Sequence, residues 1–413
     1  MADRRWQQSN IRSVPAGRRF AEEDAADEDE IRAEQKRVRR TRRRAILAVL
    51  LFVLLSAAVI LLLRRYASYT TYSVEWQKDV SQGSLVGYEP FSGGLLKYSK
   101  DGVTFISGKG DELWVDTYEM KNPMIDISGE CAVIADRQGI SVRIYSVAGR
   151  TGSAETLRPL TRAAVSGNGT VAVIEEDSTA SYICFYDKNG TELDITIKSI
   201  LAGDGYPTDL SLSPDGTGLM VGYQYLSGGE LSGRVVFYDF SEVGKNIPNR
   251  LVGGFDEPFT GSLIADVCCM DGTWCFAAST AGLSFFSRRN RTSPELVKQV
   301  DEADEIRTLF YNNEYVCVVL NNSASAERYR LEVYKPDGSQ VLSKEFSMNY
   351  SAASVSGDYV FLFSSNEAMI VNMAGTEKFH GDLDFPVAQM RTGSVPGEFI
   401  MAGTSNVKGV RLR

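Results

Sequence analysis

Leu331-Glu332-Val333-Tyr334-Lys335-Pro336-Asp337-Gly338 (331–338) alternates apolar and polar side chains and then stops in a Pro-Asp-Gly turn. Strict alternation sends successive side chains to opposite faces of a strand, and the glycine accepts the positive φ that a tight hairpin needs. The stretch therefore reads as one strand and its hairpin. Similar aromatic-bearing strands occur at Val142-Arg143-Ile144-Tyr145, Ile183-Cys184-Phe185-Tyr186, Val235-Val236-Phe237-Tyr238 and Leu283-Ser284-Phe285-Phe286. Further turn signals stand at Lys188-Asn189-Gly190, Ser213-Pro214-Asp215-Gly216 and Asp271-Gly272.

The ends of these strands form a series: Tyr145, Tyr186, Tyr238, Phe286 and Tyr334, with weaker equivalents at Ser107, Asn372 and Val410. They are spaced by 38, 41, 52, 48, 48, 38 and 38 residues. A period near forty residues, with no sustained helical pattern beyond residue 70, predicts an all-β chain folded as a β-propeller of four-stranded blades. Eight blades are expected, with seven as the alternative should the 250–265 connection prove irregular. The last unit supplies only three strands, in 389–391, 398–402 and 407–412. The segment 72–80 is then the spare strand that closes the ring and removes the exposed sheet edges.

Ahead of the repeats, residues 45–63 read AILAVLLFVLLSAAVILLL, with Ser56 the sole polar residue. As a helix this run is about 28 Å long, close to the ~30 Å of bilayer hydrocarbon. It predicts one transmembrane helix. Arg37, Arg39, Arg40, Arg42, Arg43 and Arg44 precede it while Arg64 and Arg65 follow, and the positive-inside rule places the N-terminus in the cytoplasm. A cleaved signal peptide would have a shorter apolar core and a small-residue cleavage site, whereas this run ends Leu-Leu-Leu-Arg-Arg. The expected order is a disordered cytoplasmic tail (1–44), the transmembrane helix (45–63), a linker (64–69) and an extracytoplasmic propeller (70–413).

Charge divides along the same line. Residues 1–44 hold 13 basic and 9 acidic residues, so the remainder of the chain, with a net charge of −9 overall, is strongly acidic. An acidic body excludes nucleic acid as a partner, because neutralising phosphates requires basic surface. The single histidine, His380, has no Gly-x-Ser-x-Gly elbow to serve and reads as a surface residue. No phosphate-binding loop, dinucleotide fingerprint or Cys-x-x-Cys pair occurs, so neither a cofactor nor a metal is expected. The carboxylates of 175–177 and 301–305 read as solvated turns, and no catalytic residue is assigned. Of the six cysteines, Cys131, Cys184, Cys268, Cys269, Cys275 and Cys317, most read as buried thiols. A two-residue turn at Asp271-Gly272 would set Cys268 opposite Cys275, which makes that pair the candidate disulfide.

The basic tail, the single span and a propeller whose strands end in Phe-Tyr-Asp-Lys-Asn-Gly (185–190) or Val-Tyr-Lys-Pro-Asp-Gly (333–338) together resemble a bacterial membrane-anchored family, domain of unknown function 5711. The repeats are more distantly similar to quinoprotein-type and WD-type propellers. The regular Trp-Asp and Gly-His signatures and the repeated tryptophan docking motif of those classes are missing, so no cofactor carries over. The resemblance carries no site, and it is the architecture, a rigid ring presenting loops and held to lipid by one helix, that suits a non-enzymatic scaffold binding an envelope protein or polymer. Loops that lengthen the repeat, 223–234, 243–259 and 321–330, are the candidate contact surfaces. An extracellular carboxylate-dependent enzyme, such as a glycoside hydrolase or lyase, and a transmembrane ligand sensor are the alternative functions.

Overall fold

A computed structural model describes residues 37, 39–40, 42–57, 59, 65–80, 85–201 and 203–413. It comprises two units, 1–67 and 68–413. In the second, every sheet has four antiparallel strands, and eight such sheets follow one another along the chain. The blades span 85–117, 123–155, 160–200, 206–255, 264–301, 306–346, 352–382 and 387–412, the last completed by Tyr72–Asp79. The repeat is therefore eightfold, and the 250–265 connection is irregular without costing a blade. It carries the outer strand Leu251–Phe255 between short 3-10 turns.

Within seven blades the first strand of the sequence lies at one edge of the sheet and the fourth at the other. The first strands form the inner ring, and they pack on one another from the second blade through to the fifth, from the sixth to the eighth, and between the eighth and the first. Each blade is apolar on both faces, since both are covered by neighbours. The second and third strands accordingly read as nearly continuous apolar runs, such as Val171–Glu176 and Val316–Asn321. A separate apolar core fills each interface. Leu212, Leu219 and Tyr238 pack between the third and fourth blades, for example, and Phe237, Phe259 and Phe286 between the fourth and fifth.

Two irregularities recur where the pattern of side chains alone shows none. The pairing of third and fourth strands slips at the end of the third strand in each of the first seven blades, by two residues at Cys184/Phe185 and by one in the others, as at Val333/Tyr334. Six inner strands also slip, including those at Leu160/Arg162, Pro207/Asp209 and Ile264/Asp266. Such bulges bend a strand and re-aim the side chain that follows.

Tyr72–Asp79 pairs antiparallel with Asn406–Leu412, from Tyr72 opposite Leu412 to Asp79 opposite Asn406. Trp76 anchors the seam. Its Nε1 donates to Glu398 Oε1 at 2.8 Å, and its ring lies on Gly409, where a Cβ would fall 2.1 Å from the indole nitrogen. Just upstream, Tyr69 N donates to Lys378 O at 2.9 Å, so the incoming chain also bridges to the outer strand of the seventh blade.

In the first unit, residues 42–57 are helical with exposed apolar side chains. Among the described residues no helix is long and apolar enough to cross a membrane. The tail at 1–36 and the end of the apolar run at 60–63 lie outside the described residues.

Closure is open to a direct test. A chain beginning at residue 82 lacks the seam strand and is expected to melt about 10 °C or more below one beginning at residue 68. Calorimetry of the two proteins measures the difference, and equal melting temperatures would show that the seam contributes nothing.

Candidate functional site

The inner strands bring together carboxylates that are far apart in the chain. Glu89, Asp126, Asp209 and Asp266 come from the first, second, fourth and fifth blades. Arg162 and Tyr311 come from the third and sixth. Arg162, Asp209 and Asp266 each follow an inner-strand bulge. Val165 N donates to Asp126 Oδ2 at 2.7 Å, and Val267 N donates to Asp209 Oδ2 at 2.8 Å. Each of these two carboxylates thus ties its blade to the backbone of the next. Arg162 Nε lies 3.4 Å from Asp209 Oδ1, and Tyr311 donates to Asp266 Oδ1 at 3.1 Å.

Burial raises these acids. Asp126 and Asp209 are pushed up to about 6, against backbone donors that favour their charged forms, and Arg162 opposes the rise at Asp209. Burial and the neighbouring Asp209 drive Asp266 well above the usual range, and burial with the charge of Asp126 takes Glu89 to about 7. The cluster has one arginine for four carboxyls, so desolvation outweighs pairing; Asp126 and Asp209 hold protons only into mildly acidic conditions, whereas Glu89 and Asp266 hold theirs nearer neutrality. Among the described residues no three His, Cys, Asp or Glu side chains are grouped to hold a metal.

A concavity lies at the rim. The outer strand of the third blade (Glu192–Ile200) and the fourth blade enclose a groove of about 630 Å³. Ile195, Ile197, Tyr223, Tyr238 and Phe240 contribute to its lining. The ring of Phe240 lies parallel to Tyr238 at 6.4 Å and edge-on to Phe185 at 4.9 Å. Tyr223 and Tyr238 hydroxyls are 3.4 Å apart, and burial raises both phenols. Lys198, Arg234 and Arg250 bring three cations against Asp194 and Asp204. Arg234 is fixed by Asp256, with Nη2 donating to Oδ2 at 2.9 Å, and its guanidinium stacks 4.7 Å from the Tyr225 ring. Arg250 stands 5.9 Å over Phe240. Both Asn249 and Arg250 have positive φ, at 55° and 57°. Two successive non-glycine residues in that region are held there against a cost of order 1 kcal/mol or more each.

Two of the three lengthened segments meet at this groove. The 223–234 stretch is the extension of a long hairpin, Gly218–Ser227 paired with Glu230–Asp239. The 243–259 stretch is less a loop than three 3-10 turns flanking the outer strand Leu251–Phe255, two before it and one after. The third, 321–330, stands on the sixth blade, where Arg330 bridges Glu302, Asp304 and Glu332 at 3.6, 3.1 and 2.8 Å. That network shows that Glu302 and Asp304 are not solvated turn residues, since their side chains are 7% and 12% exposed. Glu175 is buried as well, with Tyr186 donating to it at 3.2 Å and Arg158 Nη1 lying 3.4 Å away.

The arginines of the basic run, Arg37, Arg39, Arg40, Arg42, Arg43 and Arg44, are exposed and helical. His380 is exposed between Glu367, 2.9 Å from Nε2, and Glu377, 3.3 Å from Nδ1. The expected pairing of Cys268 with Cys275 is corrected by one residue: Cys275 stands opposite Cys269, and Cys268 opposite Phe276. Asp271 is the reason. Its Oδ1 accepts the N–H groups of Thr273 and Trp274 at 2.6 Å, and Met270 N donates to Trp274 O, so the turn is wider than two residues. A one-residue slip exchanges the faces of a strand.

Solved structures share the architecture at low identity. The Dos1 propeller aligns with a TM-score of 0.51 at 10% identity, over 82% of this chain and 95% of that one. BamB from Moraxella catarrhalis aligns at 0.48 and 13%, over 83% and 100%. The Pan2 WD40 domain from Neurospora crassa aligns at 0.43 and 11%, over 70% and 87%. No curated protein matches the chain significantly in sequence. The profile of a family of unknown function, DUF5711, matches residues 65–412.

The inner acids make a pH prediction. Between the ordinary aspartate value near 3.9 and about 6, folded Asp126 keeps a proton that the unfolded chain has lost. Its contribution to stability therefore falls as pH rises through that window. Relative to an Asp126→Asn variant, the wild type is expected to lose on the order of 1–2 kcal/mol between pH 4 and 7, read from denaturant melts. An offset that does not change with pH would refute the raised carboxyl.

Proposed function

The chain belongs to this family of unknown function, DUF5711, and we propose that it is a membrane-anchored, non-catalytic scaffold whose rim groove binds an extended segment of an envelope protein. The observation that carries the reading is the convergence of two separate insertions, 223–234 and 243–259, on one concavity. Inserted segments cost ordering entropy, and functional surfaces concentrate on such segments. The backbone strain at Asn249 and Arg250 falls on the same wall.

The lining states what would fit. An aromatic and aliphatic floor suits a segment that presents an apolar side chain, and Lys198 and Arg250 suit a carboxylate beside it, since Arg234 is already held by Asp256. Exposed apolar residues continue outward from the groove at Ile200, Leu201, Val243 and Leu251. They add area that a partner would remove from water at roughly 25 cal/mol per Å².

The anchor belongs to the same proposal. A helical run whose side chains Ile46, Leu47, Leu50, Leu51 and Leu54 touch water over more than half their area is costly in solution and favourable in hydrocarbon. The arginines before it hold that end in the cytoplasm, which leaves the ring outside. Protease added to intact cells is expected to degrade the C-terminal portion while sparing a cytoplasmic control. Full protection would overturn the orientation.

For the groove, a photo-crosslinking side chain at Leu251 or Thr196 in living cells is expected to yield a protein adduct of defined mass. One at Ser325, on the sixth blade, is expected to yield none. Arg250→Glu should lower the adduct yield about tenfold without lowering the melting temperature, as loss of a desolvated ion pair would. A ladder of polymer adducts would replace the protein partner by a wall polymer. Equal yields from both sites would remove the groove from the function.

A further inference from the structure

Cys269 ends the inner strand of the fifth blade and Cys275 lies directly opposite on its second strand. The Cys275 thiol donates to Cys269 Sγ at 3.1 Å, and both side chains are buried. Beside them lies Arg288, just beyond the third strand of the same blade and only 2% exposed. The fourth blade makes room for it: a Cβ on Gly218 would fall 1.7 Å from Arg288 Nη2.

This arginine is under-served. The carboxylate nearest by ion pairing, Asp239, has its Oδ2 3.9 Å from Nη2, beyond hydrogen-bond reach. Among the described residues, Arg288 Nε and Nη1, and Asp239 Oδ2 itself, have no hydrogen-bond partner. A buried guanidinium with unsatisfied donors costs several kcal/mol unless an anion faces it. The group able to become that anion is Cys269. The Cys275 thiol and, against the effect of burial, the Arg288 charge draw its sulfur below the ordinary thiol range, while burial sends Cys275 well above it. Cys268, the adjacent cysteine, faces the other side of the sheet and is raised by burial.

We propose that Cys269 and Cys275 form a reversible dithiol–disulfide pair in which Arg288 stabilises the reduced state by pairing with the Cys269 thiolate. This rests on neither the groove nor the membrane anchor. The oxidant is a small disulfide. Cys269 thiolate attacks one sulfur of the donor, breaking its S–S bond and releasing one thiolate. Cys275 then loses its proton and attacks Cys269 Sγ, releasing the second half of the donor as a thiol. The protein loses two electrons, the donor gains them, and Arg288 is left without the thiolate, with Asp239 Oδ2 3.9 Å away. A disulfide whose reduced form is stabilised in this way is easily reduced.

The full-length chain is brought to equilibrium in graded mixtures of reduced and oxidised glutathione, approached from both directions. It is then quenched in acid, unfolded, alkylated and mapped by mass spectrometry. One two-electron transition is expected, linking Cys269 to Cys275 while Cys131, Cys184, Cys268 and Cys317 remain alkylatable. Arg288→Met is expected to move the midpoint toward reducing mixtures by about tenfold in the ratio of squared reduced to oxidised glutathione, and Arg288→Lys to move it less. Absence of the Cys269–Cys275 link at every ratio overturns the proposal, as does an Arg288→Met midpoint equal to wild type. Should Arg288→Met fail to fold, thiolate absorbance near 240 nm in the reduced wild type decides instead. It must disappear on acidification below the usual thiol range and be missing from Cys269→Ser, and a wild type without that signal overturns the role of the arginine.

Discussion

Every blade in this ring is greasy on both sides, and that single constraint governs the architecture. A sheet apolar on two faces is unstable alone and becomes stable when a neighbour covers each face. Eight such sheets satisfy the requirement only if the eighth covers the first. The burden falls on Tyr72–Asp79 pairing with Asn406–Leu412 and on Trp76 lying over Gly409. The cores between the seventh, eighth and first blades include Tyr72 and Trp76 among the residues packed against them, so the seam strand completes two interfaces as well as a sheet.

The inner ring follows from the same geometry. First strands converge, and side chains after the bulges are brought close to those of other blades. Asp126 and Asp209 answer the backbone donors of the next inner strand, at the cost of keeping carboxyls in a poorly solvated place. The rim is under no such constraint. Outer strands have one free edge each, and there the fourth blade departs most from the repeat, through its long hairpin and the turns around Leu251–Phe255.

What was legible in the residues was whatever repeats. The eight strand ends from Ser107 to Val410 belong to, or directly follow, the third strands of the eight blades, because alternation and turn chemistry are local properties. The missing last strand could be counted for the same reason. Pairwise placement was not legible. Asp126, Asp209 and Asp266 lie dozens of residues apart in unremarkable strand contexts, and only ring closure makes them neighbours. Glu302 and Asp304 read as a solvated turn because Arg330, which pairs with them, is supplied by a later strand. The cysteine register failed on one side chain: Asp271 caps its own turn, which a reading of Asp-Gly as a two-residue hairpin overlooks. The groove was half visible. Its insertions stand out as lengthened repeats, whereas Ile195, Lys198 and Phe240 carry no mark of their own.

The seam also sets a timetable for synthesis. Thr71 and Arg413, which exchange backbone hydrogen bonds, are 342 residues apart in sequence. At ~5–20 residues per second the ribosome needs roughly 17 to 70 seconds to travel that distance. For most of that interval the first strand of the ring has left the tunnel and its mate has not been made. A nascent chain thus carries an unpaired edge bearing Tyr72 and Trp76 for tens of seconds, which is the period in which a holding chaperone or a neighbouring ribosome's product would decide its fate.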